Sequence, residues 1–112
     1  MYDKYLITGA TGFLGRAVVE ELVHHDAQVR ALVLHNDPYI NLLPKEVHTI
    51  VGDVCDKNSL ADFFADADSR TCVIHCAGIV SVASRPGPKL YQVNVGGTWR
   101  ILRQCLAHDV GK

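Results

Sequence analysis

Three glycines stand three residues apart near the start of the chain, within the octapeptide TGATGFLG at residues 8–15. Gly9 can adopt turn conformations that residues with a Cβ avoid, and Gly12 would let a bound group approach the main chain closely. Gly15 would let a following helix pack tightly against a strand. The N–H groups that open such a helix bind anions, and phosphates in particular. The spacing therefore predicts a phosphate-binding turn.

The segments on either side of this turn give it its context. KYLIT at Lys4–Thr8 is a short apolar run typical of a buried strand. Residues 12–25 carry an apolar stripe at helical spacing, with Leu14, Val18 and Leu22 as its main members. A glycine turn between a first strand and a first helix is the signature of dinucleotide binding. Phe13 and Leu14 would supply the main-chain N–H groups that face the pyrophosphate.

Apolar runs and helical patterns continue to alternate along the chain. The further strands are predicted at 28–34, 47–53 and 71–78. The further helices are predicted as one helical turn in the loop at 35–46, a helix after Asp56, which is a candidate N-cap, and a helix over about 89–109. The second helix should carry Leu60, Phe63 and Phe64 into the core. SRPGP at 84–88 is predicted to be a break, and Gly111 is placed to end the last helix.

This order of elements, β-α-β-α-β-α-β-α, defines the expected fold class. Strands that alternate with helices predict a parallel sheet covered on both faces. Right-handed crossovers then give an α/β, doubly wound, Rossmann-like sheet, and we expect the strand order 3-2-1-4.

Composition restricts the possible functions. The 112 residues suffice for one domain, 48% of them are apolar, and the net charge is −1 with no basic cluster, which argues against nucleic-acid binding. We find no apolar run of about 18 residues and no secretion signal, so we expect no membrane association and a cytoplasmic location. The four cysteines have no metal-ligand spacing, and we expect reduced, buried thiols and no metal site.

Four segments in order resemble the extended short-chain dehydrogenase/reductases. They are TGATGFLG at 8–15, GDV at 52–54, HCAG at 75–78 and NVGGT at 94–98. Within that family the sequence of these segments is most similar to those of dihydroflavonol reductases and NAD-dependent epimerases or dehydratases. The resemblance implies an NAD(P)-binding Rossmann domain and hydride transfer at a carbonyl or hydroxyl carbon of a small-molecule substrate.

The resemblance also implies roles for individual residues. Asp53 would contact the adenine ring, the small residues Ala77 and Gly78 would admit the nicotinamide-side ribose, and Asn94 would support a hydrogen-bond chain to a catalytic lysine. Asn94 is alternatively a buried polar residue that mends a break in the helix, and His75 is more often structural than catalytic in such a position. The full implied cofactor site is Gly9, Thr11, Gly12, Phe13, Leu14, Gly15, Leu34, His35, Asp53, Val54, Cys76, Ala77 and Gly78.

The end of the second strand bears on the choice of cofactor. An acidic residue there binds the 2′-hydroxyl of NAD, whereas an arginine favours the 2′-phosphate of NADP. The matching positions are Val33 and Leu34, and both are apolar. His35 or Asn36 could contact the ribose instead. Both cofactors stay possible, and the absent acid slightly favours NADP.

The tyrosine and lysine on which the family's chemistry depends are not found here. No tyrosine of this chain has lysine four positions later. We therefore interpret residues 1–112 as a partial NAD(P)-binding domain without the substrate-binding part, and we expect it to bind cofactor but not to turn over substrate. The uncovered fourth strand or the last helix should then drive self-association, as a homodimer or otherwise.

Two other functions are compatible with the sequence. A non-catalytic NAD(P)-sensing or regulatory protein would keep the glycine turn and lack the tyrosine–lysine pair. An interaction module would use the sheet alone and bind no dinucleotide.

Overall fold

The computed structural model describes residues 2–80 and 87–112 and contains one four-stranded sheet. The strands are β1 (Lys4–Thr8), β2 (Val29–Val33), β3 (His48–Val51) and β4 (Thr71–His75). All three neighbouring pairs are parallel, in the order β3-β2-β1-β4. The predicted fold class and strand order are both confirmed. Strand β1 has the predicted bounds, whereas the other three strands are shorter than their apolar runs, mainly because those runs continue into the loop at the carboxyl end.

The sheet separates two apolar layers, since neighbouring residues of a strand point to opposite faces. Leu6 and Ile7 of β1 are both fully buried, one in each layer. The layer beside Ile7 packs under helix α1 (Phe13–His24), while the layer beside Leu6 includes Phe63 and Phe64. Both faces are thus covered, as a doubly wound sheet requires.

Helix α1 faces the sheet through most of the predicted stripe, but not through Leu14. Gly15 and Val19 are its buried residues, with Val18 and Leu22 partly buried beside them. Leu14, which the stripe placed in the core, is exposed. The close approach at Gly15 turns the helix so that Leu14 lies outside the interface.

The predicted helix after Asp56 is wrong in extent. Only a 3₁₀ helix, Lys57–Leu60, forms, although Asp56 does cap it by accepting a hydrogen bond from the Asn58 N–H (3.1 Å). The chain then turns through 61–66, where the Arg30 guanidinium donates to the carbonyls of Phe63 (3.0 Å) and Ala65 (2.8 Å). A side chain from β2 therefore stabilises turns where the aromatic spacing suggested a helix.

A long helical region closes the chain in three segments: α2 (Pro88–Tyr91), a π-helix (Gln92–Gly97) and α3 (Thr98–Ala107). The predicted break at 84–88 lies partly outside the described residues. Gly111 does not end the helix, which ends at Ala107 with His108 as its C-cap; Asp109 follows with a positive φ of 55°. A Cβ on Gly111 would instead lie 2.1 Å from the Ser69 carbonyl oxygen, because the chain here passes close to the start of β4.

The outer edge of β4 is partly covered by this last segment. The Lys112 N–H donates to the Thr71 carbonyl (3.4 Å), and the Val73 N–H donates to the Lys112 carbonyl (2.7 Å). These two bonds follow the pattern of a parallel pair opposite Cys72. The expectation of a wholly uncovered fourth strand is therefore corrected.

Candidate functional site

A cleft of about 300 Å³ opens at the carboxyl ends of the strands, where ligands bind in open α/β sheets. Nine of the residues proposed from the sequence line it: Gly9, Thr11, Gly12, Leu34, Asp53, Val54, Cys76, Ala77 and Gly78. The fold thus brings together three of the four motif segments, although they are more than 20 residues apart along the chain.

The glycine turn shows why side chains are absent from it. Gly9 has a φ of +67°, and a Cβ there would lie 2.5 Å from the Cys76 carbonyl carbon. A Cβ on Gly15 would lie 1.9 Å from the Gly9 carbonyl oxygen. Gly12 differs, because its Cβ would meet only the Gly9 oxygen, at 3.3 Å. Gly9 and Gly15 therefore permit main-chain packing, whereas Gly12 leaves space at the cleft.

The N-terminus of α1 suits an anion. Gly12 is its N-cap, it offers no side chain to the first N–H groups, and no acidic residue lies in the first turn. Those N–H groups have no partner within the helix. A phosphate placed over Gly12 would accept from them at the positive end of the helix dipole.

The GDV segment forms another wall of the cleft. The Asp53 carboxylate accepts from the Cys55 N–H (2.8 Å), and the Asp53 N–H donates to Ser59 Oγ (2.9 Å). Val54 is buried in the core layer beside Leu6. These contacts fix a carboxylate at the rim, where it can accept from an exocyclic amino group.

Thr8 joins the glycine turn to the end of β4. Its Oγ1 accepts from the Ala77 N–H (3.2 Å) and shares the Cys76 N–H (3.1 Å) with its own carbonyl. Both lone pairs are then occupied, so the Thr8 hydroxyl proton points to His75 Nδ1, 2.6 Å away. This bond holds the last residue of β4 against the residue that precedes Gly9.

His75 continues this chain of bonds as a neutral imidazole. Since Nδ1 accepts, Nε2 carries the proton and donates to Thr98 Oγ1 (3.0 Å), which donates to the Asn94 carbonyl (2.7 Å). Burial lowers the pKa of His75, in agreement with the neutral form. The contacts favour the structural interpretation of His75.

Asn94 lies outside the cleft lining. Its side-chain Nδ2 donates to the Ile79 carbonyl (2.8 Å), and its Oδ1 accepts from the Ile79 N–H (2.7 Å). The amide thus bonds both polar groups of one residue and fixes the segment that follows Gly78. The helix around Asn94 is widened into the π-helix rather than broken.

Four of the proposed cofactor residues do not line the cleft. The side chains of Phe13 and Leu14 are 97% and 64% exposed, His35 is exposed, and Gly15 lies behind the turn. The role proposed for Phe13 and Leu14 rested on their main-chain N–H groups, and the exposure of their side chains does not affect it. The chain passes from Leu34 to Asp37 at the cleft and leaves His35 in solvent.

Six lining residues were missed: Leu32, Asp37, Gly52, Ile79, Lys89 and Val93. Gly52 belongs to the GDV motif and Leu32 lies on the strand face of Leu34, so pattern alone could have found both. Asp37 and Lys89 reach the cleft through a loop and a helix whose paths no local pattern indicates.

Cys76 lines the cleft, and burial raises the pKa of its thiol. It is therefore a neutral, weakly polar wall at neutral pH. All four cysteines are free thiols, as expected, but the expected burial holds only for Cys72, because Cys55, Cys76 and Cys105 are half-buried. Within the described ranges no helix is long and apolar enough to cross a bilayer.

The parallel 3-2-1-4 sheet with a glycine turn at its carboxyl edge defines an NAD(P)-binding Rossmann-like domain of the extended short-chain dehydrogenase/reductases. More specifically, the model of the 3-beta hydroxysteroid dehydrogenase/isomerase family matches residues 6–112, and the chain belongs to that family.

Individual relatives agree with this assignment. The chain is 37% identical over 109 residues to the human 3 beta-hydroxysteroid dehydrogenase type 7, covering 91% of this chain and 29% of that protein. Among solved structures, a short-chain dehydrogenase/reductase from Agrobacterium tumefaciens with bound NAD is 29% identical, with a TM-score of 0.75 over 96% of this chain and 30% of that one. The Thermus thermophilus UDP-glucose 4-epimerase complex with NAD is 28% identical, with a TM-score of 0.81 over 95% and 34%. The chain spans about a third of the length of these relatives.

Proposed function

We propose that this chain binds a nicotinamide dinucleotide in the cleft and forms the cofactor-binding part of an oxidoreductase, epimerase or dehydratase. The observation that carries the proposal is the contact between the Gly9 and Gly15 main chains, which places the N-terminus of α1 at the cleft with no side chain over it. Family membership and NAD-bound structures of relatives support the same class of ligand.

Each part of the dinucleotide has a matching wall in this proposal. The pyrophosphate lies over Gly12, and the adenine lies between Asp53 and Val54, whose carboxylate and apolar surface suit its amino group and ring. The nicotinamide-side ribose lies against Ala77 and Gly78. A nicotinamide held beside Ala77 and Gly78 would supply hydride transfer at a carbonyl or hydroxyl carbon of a small-molecule substrate, and this chain's residues would bind and orient it.

A non-catalytic dinucleotide sensor is the second candidate. It would use the same glycine turn and cleft to bind the dinucleotide without hydride transfer. The coding sequence downstream of codon 112 distinguishes the two, because a Tyr-x-x-x-Lys motif there supports the enzyme and its absence supports the sensor.

The binding proposal is tested with a matched pair of variants. Gly12 and Gly87 are both helix N-caps in the same extended conformation (φ −76° and −77°), but only Gly12 lines the cleft. Gly12→Val should weaken binding of NADH, followed by its fluorescence, by about 30-fold or more, which is about 2 kcal/mol. Gly87→Val should leave it unchanged. Equal affinities in the two variants, or no binding by the wild type, would contradict the proposal.

We also propose that the chain self-associates through one face of the last helical region, from α2 through the π-helix to α3. This face carries five exposed apolar side chains at helical spacing: Tyr91, Val95, Trp99, Leu102 and Leu106. Leu102→Lys should lower the association measured by sedimentation velocity, whereas Leu42→Lys, at an equally exposed leucine outside this face, should not. A wild type that stays monomeric as its concentration is raised would refute this.

A further inference from the structure

His75 joins three elements behind the cleft without lining the cleft itself. Its Nδ1 accepts from the Thr8 hydroxyl of β1 (2.6 Å), and its Nε2 donates to Thr98 Oγ1 of α3 (3.0 Å). The three residues that follow it, 76–78, all line the cleft. A change at the imidazole ring therefore reaches the cleft through the main chain, without any contact between the ring and a ligand.

The Thr8 hydroxyl has no spare hydrogen-bonding position. Its oxygen accepts from the Cys76 N–H (3.1 Å) and from the Ala77 N–H (3.2 Å), and its proton faces His75 Nδ1. A hydroxyl has one proton and two lone pairs, so these three partners use its whole capacity. The arrangement holds only while Nδ1 carries no proton.

Protonation of His75 turns all three partners of this hydroxyl into donors, because imidazolium carries a proton on both ring nitrogens. The Thr8 oxygen can accept from two of them, and its own proton must then face the third. The main chain that is pushed away belongs to Cys76 or Ala77, and both residues line the cleft. The movement also reaches the glycine turn, because a Cβ on Gly9 would lie only 2.5 Å from the Cys76 carbonyl carbon.

The ring of His75 is not free to move away from Thr8 instead. Its Nε2 stays a donor in both protonation states, and Thr98 Oγ1, which accepts from it, donates in turn to the Asn94 carbonyl (2.7 Å). The ring is thus held from the helical side by a bond that protonation does not remove. The conflict is confined to Nδ1 and the end of β4.

Uncharged groups face the ring from each element packed against it. Strand β1 contributes the Thr8 hydroxyl, α3 contributes the Thr98 hydroxyl, and the π-helix contributes the Asn94 carbonyl at the end of the chain of bonds. The titratable neighbour along β4 is the Cys76 thiol, whose pKa burial raises, so that it stays neutral. Among the residues that the structure describes, no charged side chain contributes to the lowered pKa of His75, which burial alone explains. No carboxylate is therefore placed to compensate a positive charge on the ring.

We infer that His75 is a positioning residue whose neutral ring holds the end of β4 in place for the dinucleotide, and that its protonation weakens cofactor binding. The inference rests on the proposed function, since it concerns the affinity of that same cleft. Its direction is diagnostic, because a positive charge gained by a surface histidine would strengthen the binding of an anionic ligand. Since burial lowers the pKa of His75 below 6.5, the loss of affinity begins below pH 6.5.

The test is a calorimetric titration of the full chain with NAD⁺ at about pH 7.5 and at about pH 5. The wild-type Kd should rise by about threefold or more on acidification, because the apparent Kd is divided by the fraction of protein with a neutral ring. His75→Asn places an amide oxygen near the position of Nδ1 and takes up no proton in this range, so the ratio of the two Kd values should fall to near one. The matched control is His48→Asn, at an exposed histidine of β3 outside the cleft lining, and it should keep the wild-type ratio.

A second measurement needs neither ligand nor variant. In the nuclear magnetic resonance spectrum of the wild type, the main-chain amide signals of Cys76 and Ala77 should shift with the same midpoint as the ring signals of His75. Circular dichroism at each pH establishes that the observed protein is folded. This measurement decides the inference by itself if His75→Asn does not fold.

The outcomes separate the inference from the function beneath it. If NAD⁺ binds at neither pH, the proposed function fails and the inference fails with it. If the affinity is the same at both pH values or increases in acid, or if His75→Asn keeps the wild-type ratio, only the inference fails. Amide signals that do not follow the titration of His75 would also overturn it, because protonation would then leave the main chain at the cleft in place.

Discussion

Replacing Gly15 by alanine should destabilise the first crossover of the sheet. The added Cβ would lie 1.9 Å from the Gly9 carbonyl oxygen and 2.6 Å from its carbonyl carbon, whereas real Cβ atoms essentially never lie closer than 3.0 Å to such atoms. Helix α1 and the glycine turn must therefore separate by at least about 1 Å. Both obstacles are main-chain atoms, so no side chain can rotate to relieve the overlap.

The cost follows from this rigidity. Inserting one methyl group into a packed interior usually costs about 1–3 kcal/mol. We expect Gly15→Ala to lower the free energy of unfolding by about 3 kcal/mol or more, at the upper end of this range. The backbone of the turn cannot move away easily, because it is also fixed against the end of β4 through Gly9 and Cys76. In a domain of this size such a loss lowers Tm by roughly 10–15 °C.

Urea denaturation followed by circular dichroism measures this cost. The control is Gly12→Ala, the same substitution three residues earlier, where the Cβ meets one atom at 3.3 Å. It should cost about 1 kcal/mol or less, as expected for alanine at an N-cap. The reasoning is refuted if Gly15→Ala and Gly12→Ala have the same free energy of unfolding.

Three further perturbations have defined outcomes. Phe63→Ala should cost about 3–5 kcal/mol in urea unfolding, because the ring is fully buried, whereas Phe13→Ala, at a 97% exposed ring, should change stability by less than about 0.5 kcal/mol. Burial lowers the pKa of His75 below 6.5, so folding favours its neutral form; this contribution to stability is complete above pH 6.5 and declines as the pH falls through 6.5 towards the folded pKa. The free energy of unfolding should therefore fall more steeply below pH 6.5 in the wild type than in His75→Gln. Equal slopes in the two proteins would contradict a lowered pKa of His75. Asn94→Ala should accelerate amide hydrogen exchange at Ile79, because that N–H loses the acceptor 2.7 Å away. Unchanged protection would show that the Asn94 amide does not hold the Ile79 main chain.

The sheet could be predicted from sequence because its signals are local. Each strand is a short apolar run, and the right-handed crossovers of a parallel β-α-β chain allow only a few strand orders. The region after Asp56 could not be predicted, because its aromatic spacing is helical while its conformation is set from elsewhere. Arg30, 33 residues away from Phe63, bonds the carbonyls there and holds them in turns.

The candidate site divides in the same way. The positions of Gly9, Gly12 and Gly15 follow from a strand–turn–helix pattern within one stretch of sequence. Asp37 depends instead on the left-handed conformation of Asn36 and on a hydroxyl of Thr11, 26 residues distant. Neither leaves a periodic signal, so a count along β2 does not find the carboxylate that lines the cleft.

The π-helix of Gln92–Gly97 has a consequence for how this chain tolerates changes of length. A turn closed from i to i+5 holds one residue more than a turn closed from i to i+4. Deleting Gly96 should therefore allow ordinary α-helical pitch to return without reorienting α3, and Ile101 should stay in the core. The same deletion within α3, before Ile101, would rotate the remainder by about 100° and move that side chain out of the interior. One stretch of the helix can thus absorb a lost codon, while its neighbour a single turn away cannot.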